Sequence, residues 1–258
     1  MSDALRAEWT KLRTIAGPAW LLAAAVVLVI GASAAVSAAA TYPPFNTVQD
    51  TTKTALAGVT VGQAVIAILA VLAVSSEYSF GTITVSLTAV PRRLQLLGAK
   101  AVVLAALTVA AGTVAISGSL LAGRLILAAN GFTPAHGYAM VSLANGATLR
   151  AAVGSVLYLT LIAWLSLGAA TALRDSAAAI GLTLGLLYLF PLLAGVVGNP
   201  SWHRHLLQIG PMTAGLGIQA TTNLGSLSMS PWGGLGVSAL WAAGGLVAGG
   251  LLLSRRDA

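Results

Sequence analysis

The sequence predicts an all-α integral membrane protein whose helices form a bundle of six transmembrane spans. Hydrophobic residues make up 57% of the 258-residue chain and charged residues only 7%, whereas a soluble domain carries about a quarter charged residues. The hydrophobic residues come in runs of roughly twenty, which as helices cross a hydrocarbon core of about 30 Å. Turn residues such as Asn130 with Gly131 and Asn199 with Pro200 separate the runs. These three observations together place the chain in a membrane.

Six hydrophobic runs are long enough to be interpreted as spans. They are predicted at residues 16–40, 57–75, 101–128, 151–173, 176–197 and 232–253. The first run is longer than the roughly 7–15 apolar residues of a signal peptide, so we expect an uncleaved span. Every connection is shorter than the ~50 residues that an independent domain usually needs. Residues 1–258 are therefore predicted to form a single transmembrane domain that works with partners.

The orientation follows from the basic residues near the span ends, because the cytoplasmic side of a membrane protein holds an excess of Lys and Arg. With the amino terminus inside, that side holds Arg6, Lys11, Arg13, Arg92, Arg93, Lys100, Arg174, Arg255 and Arg256. The outer side holds only Lys53, Arg124, Arg150 and Arg204. Both termini are therefore predicted to be cytoplasmic. Arg124 and Arg150 lie near outer span ends and are expected to reach lipid headgroups, with substrate steering as the alternative.

Residues 1–15 form a leader with a helical pattern. Leu5, Trp9 and Leu12 recur at intervals of three and four residues, and Arg6 and Arg13 fall elsewhere around the helix. Such a helix lies along the inner membrane surface. It serves either as an anchor alone or as an anchor that also contacts a cytosolic partner.

Residues 78–91, between the second and third spans, are too polar to cross the membrane and are predicted to form a short cytoplasmic helix. Apolar side chains fall on one face of this helix, and Pro91 ends it before Arg92 and Arg93. The residues of that face are Phe80, Ile83, Leu87 and Val90. Glu77 precedes the helix, where the positive end of the helix dipole favours a carboxylate. Glu77 is interpreted either as an interfacial cap or as a charge that pairs with a basic residue and transmits force.

Two stretches carry a family resemblance: the leader reads EWTKLRT from Glu8, and the exit from the second span reads EYSFGTITVSLTAVPRR from Glu77, with Lys100 opening the third span. With six spans, this chain resembles over essentially its whole length the permease subunits of bacterial type-two ABC exporters. The motif is loose and contains no catalytic residue. Where many relatives carry a basic residue after Gly-Thr-Ile/Leu, this chain has Thr84, so any docking charge must come from another residue, such as Arg92 or Arg93.

The resemblance implies a set of partners and roles. Two permeases, identical or homologous, would form the path, and two separate ATPase subunits would bind ATP and Mg. Residues 80–90 would be the coupling helix that docks into the ATPase, Glu77 its carboxylate at the membrane edge, and residues 5–14 the connecting helix. The cofactors therefore belong to the partner, and this chain is not expected to be an enzyme.

The outer connection, residues 199–231, is too long for a turn and too polar to span the membrane. It contains the apolar groups Leu206 with Leu207 and residues 212–218. The resemblance implies short re-entrant helices here that cap the outer end of the path, which is feasible where such helices are buried against protein. The alternative is an interfacial surface loop.

Other chemistries lack the residues that they need. No phosphate-binding G-x-x-x-x-G-K-[ST] run surrounds any lysine, and the chain has no cysteine for thiol chemistry or disulfides. His203 and His205 without a nearby carboxylate are a weak metal signal and are interpreted as interfacial. Basic residues that are scattered singly or in pairs favour anionic lipid headgroups over nucleic acid.

The sequence therefore predicts the permease of an ATP-driven exporter in a bacterial cytoplasmic membrane. Its apolar spans, which hold few charges, suit a hydrophobic or amphipathic cargo such as a drug, antibiotic, peptide or lipid. A non-transporting membrane scaffold or sensor subunit and an ion-coupled secondary transporter are the alternatives. The small-residue pairs Gly181 with Gly185 and Gly245 with Gly249 are interpreted as packing within the chain, with a dimer seam as the other possibility.

Overall fold

The computed structural model describes residues 16–41, 49–79 and 93–255, together with Arg6 and Thr10. Across these ranges the chain is almost entirely helical and contains no strand. The helices are α1 (Ala16–Ala39), α2 (Thr51–Ala55), α3 (Val59–Ser79), α4 (Arg93–Ala129), α5 (Gly146–Leu173), α6 (Ser176–Val196), α7 (Pro200–Ile209), α8 (Pro211–Gly215) and α9 (Pro231–Arg255). Short 3-10 turns cover Pro134–His136, Leu216–Gln219 and Leu224–Ser226.

Five of these helices are long and apolar enough to cross a membrane: α1, α4, α5, α6 and α9. The predicted all-α membrane protein is confirmed. The second predicted span coincides with α3, whose apolar part Val59–Ser75 is shorter than the other five. The six-span layout therefore stays a prediction. Following the predicted orientation, we call the end of the bundle where α4 ends and α5 begins the outer end.

Helix α5 is the centre of the bundle. Of its most hydrophobic stretch, 67% is buried inside the protein, against 22–33% for the other four long helices. It packs on α9, α3, α4 and α6, while α1 packs on the far side of α3 and α4. Tyr158, Leu159 and Ile162 of α5 are buried in the core. The other helices are thus arranged around α5.

Glycines let α9 approach α5 closely. Gly245 stands directly against Gly168, and a Cβ atom added at Gly249 would lie 2.7 Å from the carbonyl oxygen of Gly168. The Gly245 and Gly249 pair therefore packs within the chain, as small residues allow. Gly181 and Gly185 of α6 are different, because a Cβ atom added at either would meet nothing within 4 Å. Within the described part of the chain, that face of α6 is uncovered.

Helix α4 is longer than a membrane is thick. Its 37 residues extend about 55 Å at 1.5 Å per residue, well beyond a hydrocarbon core of about 30 Å. It begins at Arg93, eight residues before the predicted span at 101–128, so its first two turns continue past the inner end of that span. Lys100, in this extension, is only 4% exposed. This lysine is thus buried against the bundle.

Candidate functional site

The chain folds back on itself after α6 at the outer end. Asn199 caps α7 by accepting a hydrogen bond from the Ser201 N–H at 2.9 Å, and Pro200 and Pro211 occupy the first positions of α7 and α8, where a missing N–H costs nothing. The Leu216–Gln219 turn follows α8 directly. We call residues 211–219 the outer plug.

The outer plug is wedged between α5 and α9. Ile218 is fully buried and lies directly against Gly154 of α5, where any larger residue would overlap it. Gly234 of α9 lies against the carbonyl oxygen of Ala214, and the Ser238 hydroxyl donates to the carbonyl of Pro211 at 2.8 Å. Backbone and side-chain contacts on both sides therefore fix the plug in one position.

A carboxylate from the loop before α2 holds the chain that leaves the plug. Asp50 caps α2 by accepting from the Lys53 N–H at 3.0 Å. It also accepts from the Thr221 hydroxyl at 2.7 Å and from the backbone N–H groups of Thr221 and Thr222. Burial raises the pKa of Asp50, but the hydrogen bonds from Lys53, Thr221 and Thr222 outweigh burial and leave the pKa lowered. We call this arrangement the Asp50 clasp.

Arg150, in the first turns of α5, holds the same segment from the opposite side. One guanidinium nitrogen donates to the carbonyl of Ala220, and the side chain is half-buried. The chain that leaves the plug thus gives Arg150 a carbonyl partner that the sequence pattern does not reveal, and its contact with lipid headgroups stays a prediction. Arg124 is exposed and lines a separate outer cavity of about 340 Å³ with Ser117 and Ser142.

Beneath the plug, buried polar groups join three helices. The Tyr158 hydroxyl of α5 donates to the Gln63 amide oxygen of α3, and the Tyr188 hydroxyl of α6 donates to the Thr60 carbonyl at 2.6 Å. The Gln219 amide donates to the Ser155 hydroxyl at 3.1 Å. Buried polar groups need such partners, so the plug and α3 are tied to positions three residues apart on α5, at Ser155 and Tyr158.

An apolar groove of about 750 Å³ lies between α5, α6 and α9. Its floor includes Gly168 and Gly245, and Leu240 on its rim is 74% exposed. The outer end is formed by α7, where the Trp241 indole N–H donates to the Ile209 carbonyl at 2.8 Å. We call this cavity the lateral groove.

The residues predicted for ATPase coupling fall largely beyond the described part of the chain. Phe80, Ile83, Leu87, Val90 and Arg92 lie outside the described residues, as do Leu5, Trp9 and Leu12 of the predicted interfacial helix. Glu77 is in the last turn of α3 and Arg93 is the first residue of α4, while their side chains are not among the described ones. These roles stay predictions.

The two outer histidines have ordinary structural partners. The Nδ1–H of His203 donates to the Ala194 carbonyl at 2.8 Å, and the ring of His205 lies 6.3 Å from that of Trp202. In residues 16–41, 49–79 and 93–255, no group of three or more His, Cys, Asp or Glu side chains is placed to hold a metal. The side chains so far described at the outer end hold helices and loops together.

Comparison with known families decides the class of the protein. The family described as ABC-2 family transporter protein matches residues 4–191, nearly three quarters of the chain. The chain belongs to this family. It is thus a permease subunit of a type-2 ABC transporter, and the predicted resemblance is confirmed. No curated protein matches the chain.

Membership of the ABC-2 family has direct consequences. The permease is a multi-pass membrane component of transport and is not itself catalytic. The family implies association with ABC ATPase subunits. The match includes the predicted coupling segment and ends at residue 191, before α7, the outer plug and α9. The family match therefore covers Asp50, Arg150 and Gly154 but not the segment that they contact.

Sequence reasoning missed the Asp50 clasp and the Arg150 contact. Asp50 before Thr-Thr-Lys-Thr is a recognisable helix cap, and this local signal was available. Its other partners are 171 and 172 residues away along the chain, and no periodic pattern connects such positions. The Gln63 and Tyr158 pair is similarly distant, although a glutamine within an apolar span is itself a signal that a buried partner exists.

Proposed function

We propose that this ABC-2 permease belongs to an ATP-driven exporter that moves a hydrophobic or amphipathic cargo out of a bacterial cell. It would act with a second permease, identical or homologous, and with two ATPase subunits that bind ATP and Mg. Family membership over residues 4–191 is the observation that carries the proposal. The outer plug, packed between α5 and α9, supports it in one respect: were this segment to cap the outer end of the path, cargo would enter from the cell interior or the membrane.

The decisive experiment purifies the chain with and without an ABC ATPase produced from the same cells. The chain alone is expected to hydrolyse no ATP, since it has no phosphate-binding loop, and the complex is expected to hydrolyse ATP faster when an amphipathic cargo is added. Turnover by partner-free chain would contradict the assignment of catalysis. If cargo neither stimulates ATP hydrolysis by the complex nor is transported into inverted vesicles, a scaffold or sensor subunit is favoured. If cargo is transported without the ATPase, a secondary transporter is favoured.

The coupling segment can be tested through its predicted apolar face. Burial of a Leu side chain contributes ~1.5–3 kcal/mol, so Leu87→Asp is expected to weaken ATPase binding tenfold or more while membrane insertion is preserved. Thr84→Asp, predicted to flank that face, is the control and is expected to do less. The amount of ATPase that each variant pulls down is measured and compared with wild type. Unchanged pull-down by both Leu87→Asp and Phe80→Asp would mean that the segment rests on lipid.

The proposed topology places both termini in the cytoplasm of a bacterial cell. The chain has no cysteine, so single cysteines report sidedness without background. Cysteine at Ser226, which is exposed in the Leu224–Ser226 turn, or at Thr47 is expected to react with an impermeant thiol reagent in intact cells. Cysteine at Ser86 or Asp257 is expected to stay unreactive. Outside labelling at Ser86 would reverse the orientation.

A further inference from the structure

The lateral groove has the dimensions of a lipid chain in one leaflet. On α9 its lining extends from Val237 to Ala248, and the eleven steps between these residues rise about 16 Å at 1.5 Å each. One leaflet contributes half of a hydrocarbon core of about 30 Å. The volume of about 750 Å³ lies within the roughly 300–1,000 Å³ of small-molecule sites. The groove is thus large enough to bury a chain, and it begins at the outer end.

The two ends of the groove differ in chemistry. Among the described residues that line it, Gln208 and Trp241 alone carry polar side-chain atoms, and both lie at the end covered by α7. The rest of the lining is aliphatic, with glycine on the floor. An elongated ligand with one polar end and one apolar tail fits this distribution, with the polar end outermost.

A positive charge stands beside the polar end. Arg204 lies four residues before Gln208 in α7, which places both on the same helix face. Its side chain is exposed, and within the described part of the chain no hydrogen bond or ion pair engages it. A cation one helical turn from a residue of the groove's polar end complements an anionic headgroup whose tail lies in the groove.

We propose that the lateral groove binds an anionic phospholipid of the leaflet at the outer end, with an acyl chain in the groove and the phosphate beside Arg204. This proposal does not depend on the function proposed above. The acyl chain would lie against the groove lining, which includes Gly168 and Gly245.

Two glycines of α9 provide a matched test. A Cβ atom added at Gly244, inside the groove, or at Gly236, outside it, would meet nothing within 4 Å, so the backbone of α9 accepts a side chain at both positions. The full chain is delipidated in detergent and titrated with phosphatidylglycerol or phosphatidylcholine of the same acyl chains. Native mass spectrometry then counts the retained lipid. Wild type and Gly236→Leu are expected to retain phosphatidylglycerol, and Gly244→Leu to lose it.

The headgroup contact has its own prediction. One arginine near an anionic headgroup favours binding about fivefold, so wild type is expected to prefer phosphatidylglycerol over phosphatidylcholine by that factor. Arg204→Gln is expected to bind the two lipids equally. Arg124→Gln, which removes another exposed outer arginine, is the control and is expected to keep the preference. Equal preference in wild type and Arg204→Gln would overturn the proposed headgroup position.

A second measurement locates the lipid should Gly244→Leu fail to fold. Phosphatidylglycerol with brominated acyl chains is expected to quench the fluorescence of Trp241, which is identified as the part of the signal that Trp241→Phe removes. Ala248→Leu, at the inner end of the groove, is expected to reduce that quenching. Equal retention by Gly244→Leu and wild type, or equal quenching with and without Ala248→Leu, would overturn the proposal. The proposal would also be overturned if the Leu240→Cys variant formed disulfide-linked dimers and added phosphatidylglycerol did not suppress them. A second copy of the chain would then occupy the groove.

Discussion

Helices α5 and α6 are consecutive, have almost the same mean hydropathy, and yet have opposite positions in the bundle. Of the most hydrophobic stretch of α5, 67% is buried, against 22% for α6. Hydropathy therefore predicts that both helices cross the membrane without predicting which one is central. In lipid, apolar side chains gain little by contacting protein in place of acyl chains. The difference between the two helices must come from other residues.

Small and hydroxyl-bearing residues make that difference. Gly154 and Gly168 of α5 admit the plug and α9 at contact distance, and Ser155 and Tyr158 hold polar partners on neighbouring elements. In α6, Gly181 and Gly185 face open space. The same residue type therefore marks an interface in one helix and an uncovered surface in the other, and only the partner distinguishes them.

The largest effect is expected when a glycine of α5 is enlarged. Gly168→Leu would force a side chain into the backbone of α9, and such overpacking is expected to destabilise the fold by about 3 kcal/mol or more. Gly185→Leu in α6 is the matched control and is expected to stay within about 0.5 kcal/mol. The free energy of unfolding of each variant is measured in detergent micelles and compared with that of wild type. Equal stability of the two variants would mean that the central position of α5 does not depend on close backbone approach.

The second largest effect on stability is expected from Asp50, compared with Asp175, since both aspartates cap helices. Asp50 caps α2 and also holds Thr221 and Thr222, whereas Asp175 caps α6 by accepting from the Ala178 N–H at 2.7 Å. Asp50→Asn is expected to cost about 1–2 kcal/mol, because the lost hydrogen bonds involve a charged but only half-buried group. Asp175→Asn is expected to cost little, since Asn caps as well as Asp. A larger loss from Asp175→Asn would refute the clasp.

The Asp50 clasp also predicts a dependence on pH. The pKa of Asp50 is lowered from its ordinary 3.8, so its contribution is present above that value and is lost as pH falls through the lower pKa of the folded protein. The free energy of unfolding of wild type is therefore expected to fall on acidification below about 4, and that of Asp50→Asn to fall less. Parallel pH profiles for the two proteins would contradict the assignment.

Tyr158 of α5 and Tyr188 of α6 both donate hydrogen bonds to α3, and removal of either bond is expected to have a smaller effect on stability. Tyr158→Phe leaves the buried amide of Gln63 without its donor and is expected to cost about 1 kcal/mol. Tyr188→Phe removes a bond to the backbone carbonyl of Thr60 and is expected to cost about 0.6 kcal/mol, the average for hydrogen bonds within membranes. Thermal unfolding of both variants gives the ranking, and the reverse order would place α6 rather than α5 at the polar centre.

The smallest effect is expected on the uncovered face of α6. Leu192 is 67% exposed, and Leu192→Ala is expected to change the stability of the isolated chain by less than about 0.5 kcal/mol. A loss above 1 kcal/mol, as burial would require, would show that this face is covered within the isolated chain.

The sequence was a good guide to helices and a poor guide to their partners. Helix α6 ends within one residue of the predicted span at 176–197, because a long apolar run, the Asp175 cap and the following Asn199 with Pro200 are all local signals. The short helix α2 was not predicted, although Asp50 is a typical cap. Local chemistry decides such boundaries, so one sequence is sufficient to find most of them.

The outer plug illustrates what one sequence cannot provide. Residues 211–219 have no helical or strand periodicity of their own, and their burial depends on Gly154, Gly234 and Ser238 in two distant helices. Arg150 shows the same limit, since an arginine at a span end reaches either headgroups or a nearby carbonyl. Which of these it contacts is a property of the packed bundle.

The polar contacts of α3 lie near the outer end of a long helix. Its 21 residues form one rod about 31 Å long, with Thr60 and Gln63 in its outer turns and Glu77 in its last turn. Asp50, nine residues before the rod begins, holds the segment that leaves the plug. A tilt of about 10° at the Glu77 end would displace the outer turns by about 5 Å relative to it on this length. That displacement exceeds the reach of a hydrogen bond, so a small rotation at the Glu77 end is geometrically sufficient to break the outer hydrogen bonds of Thr60 and Gln63.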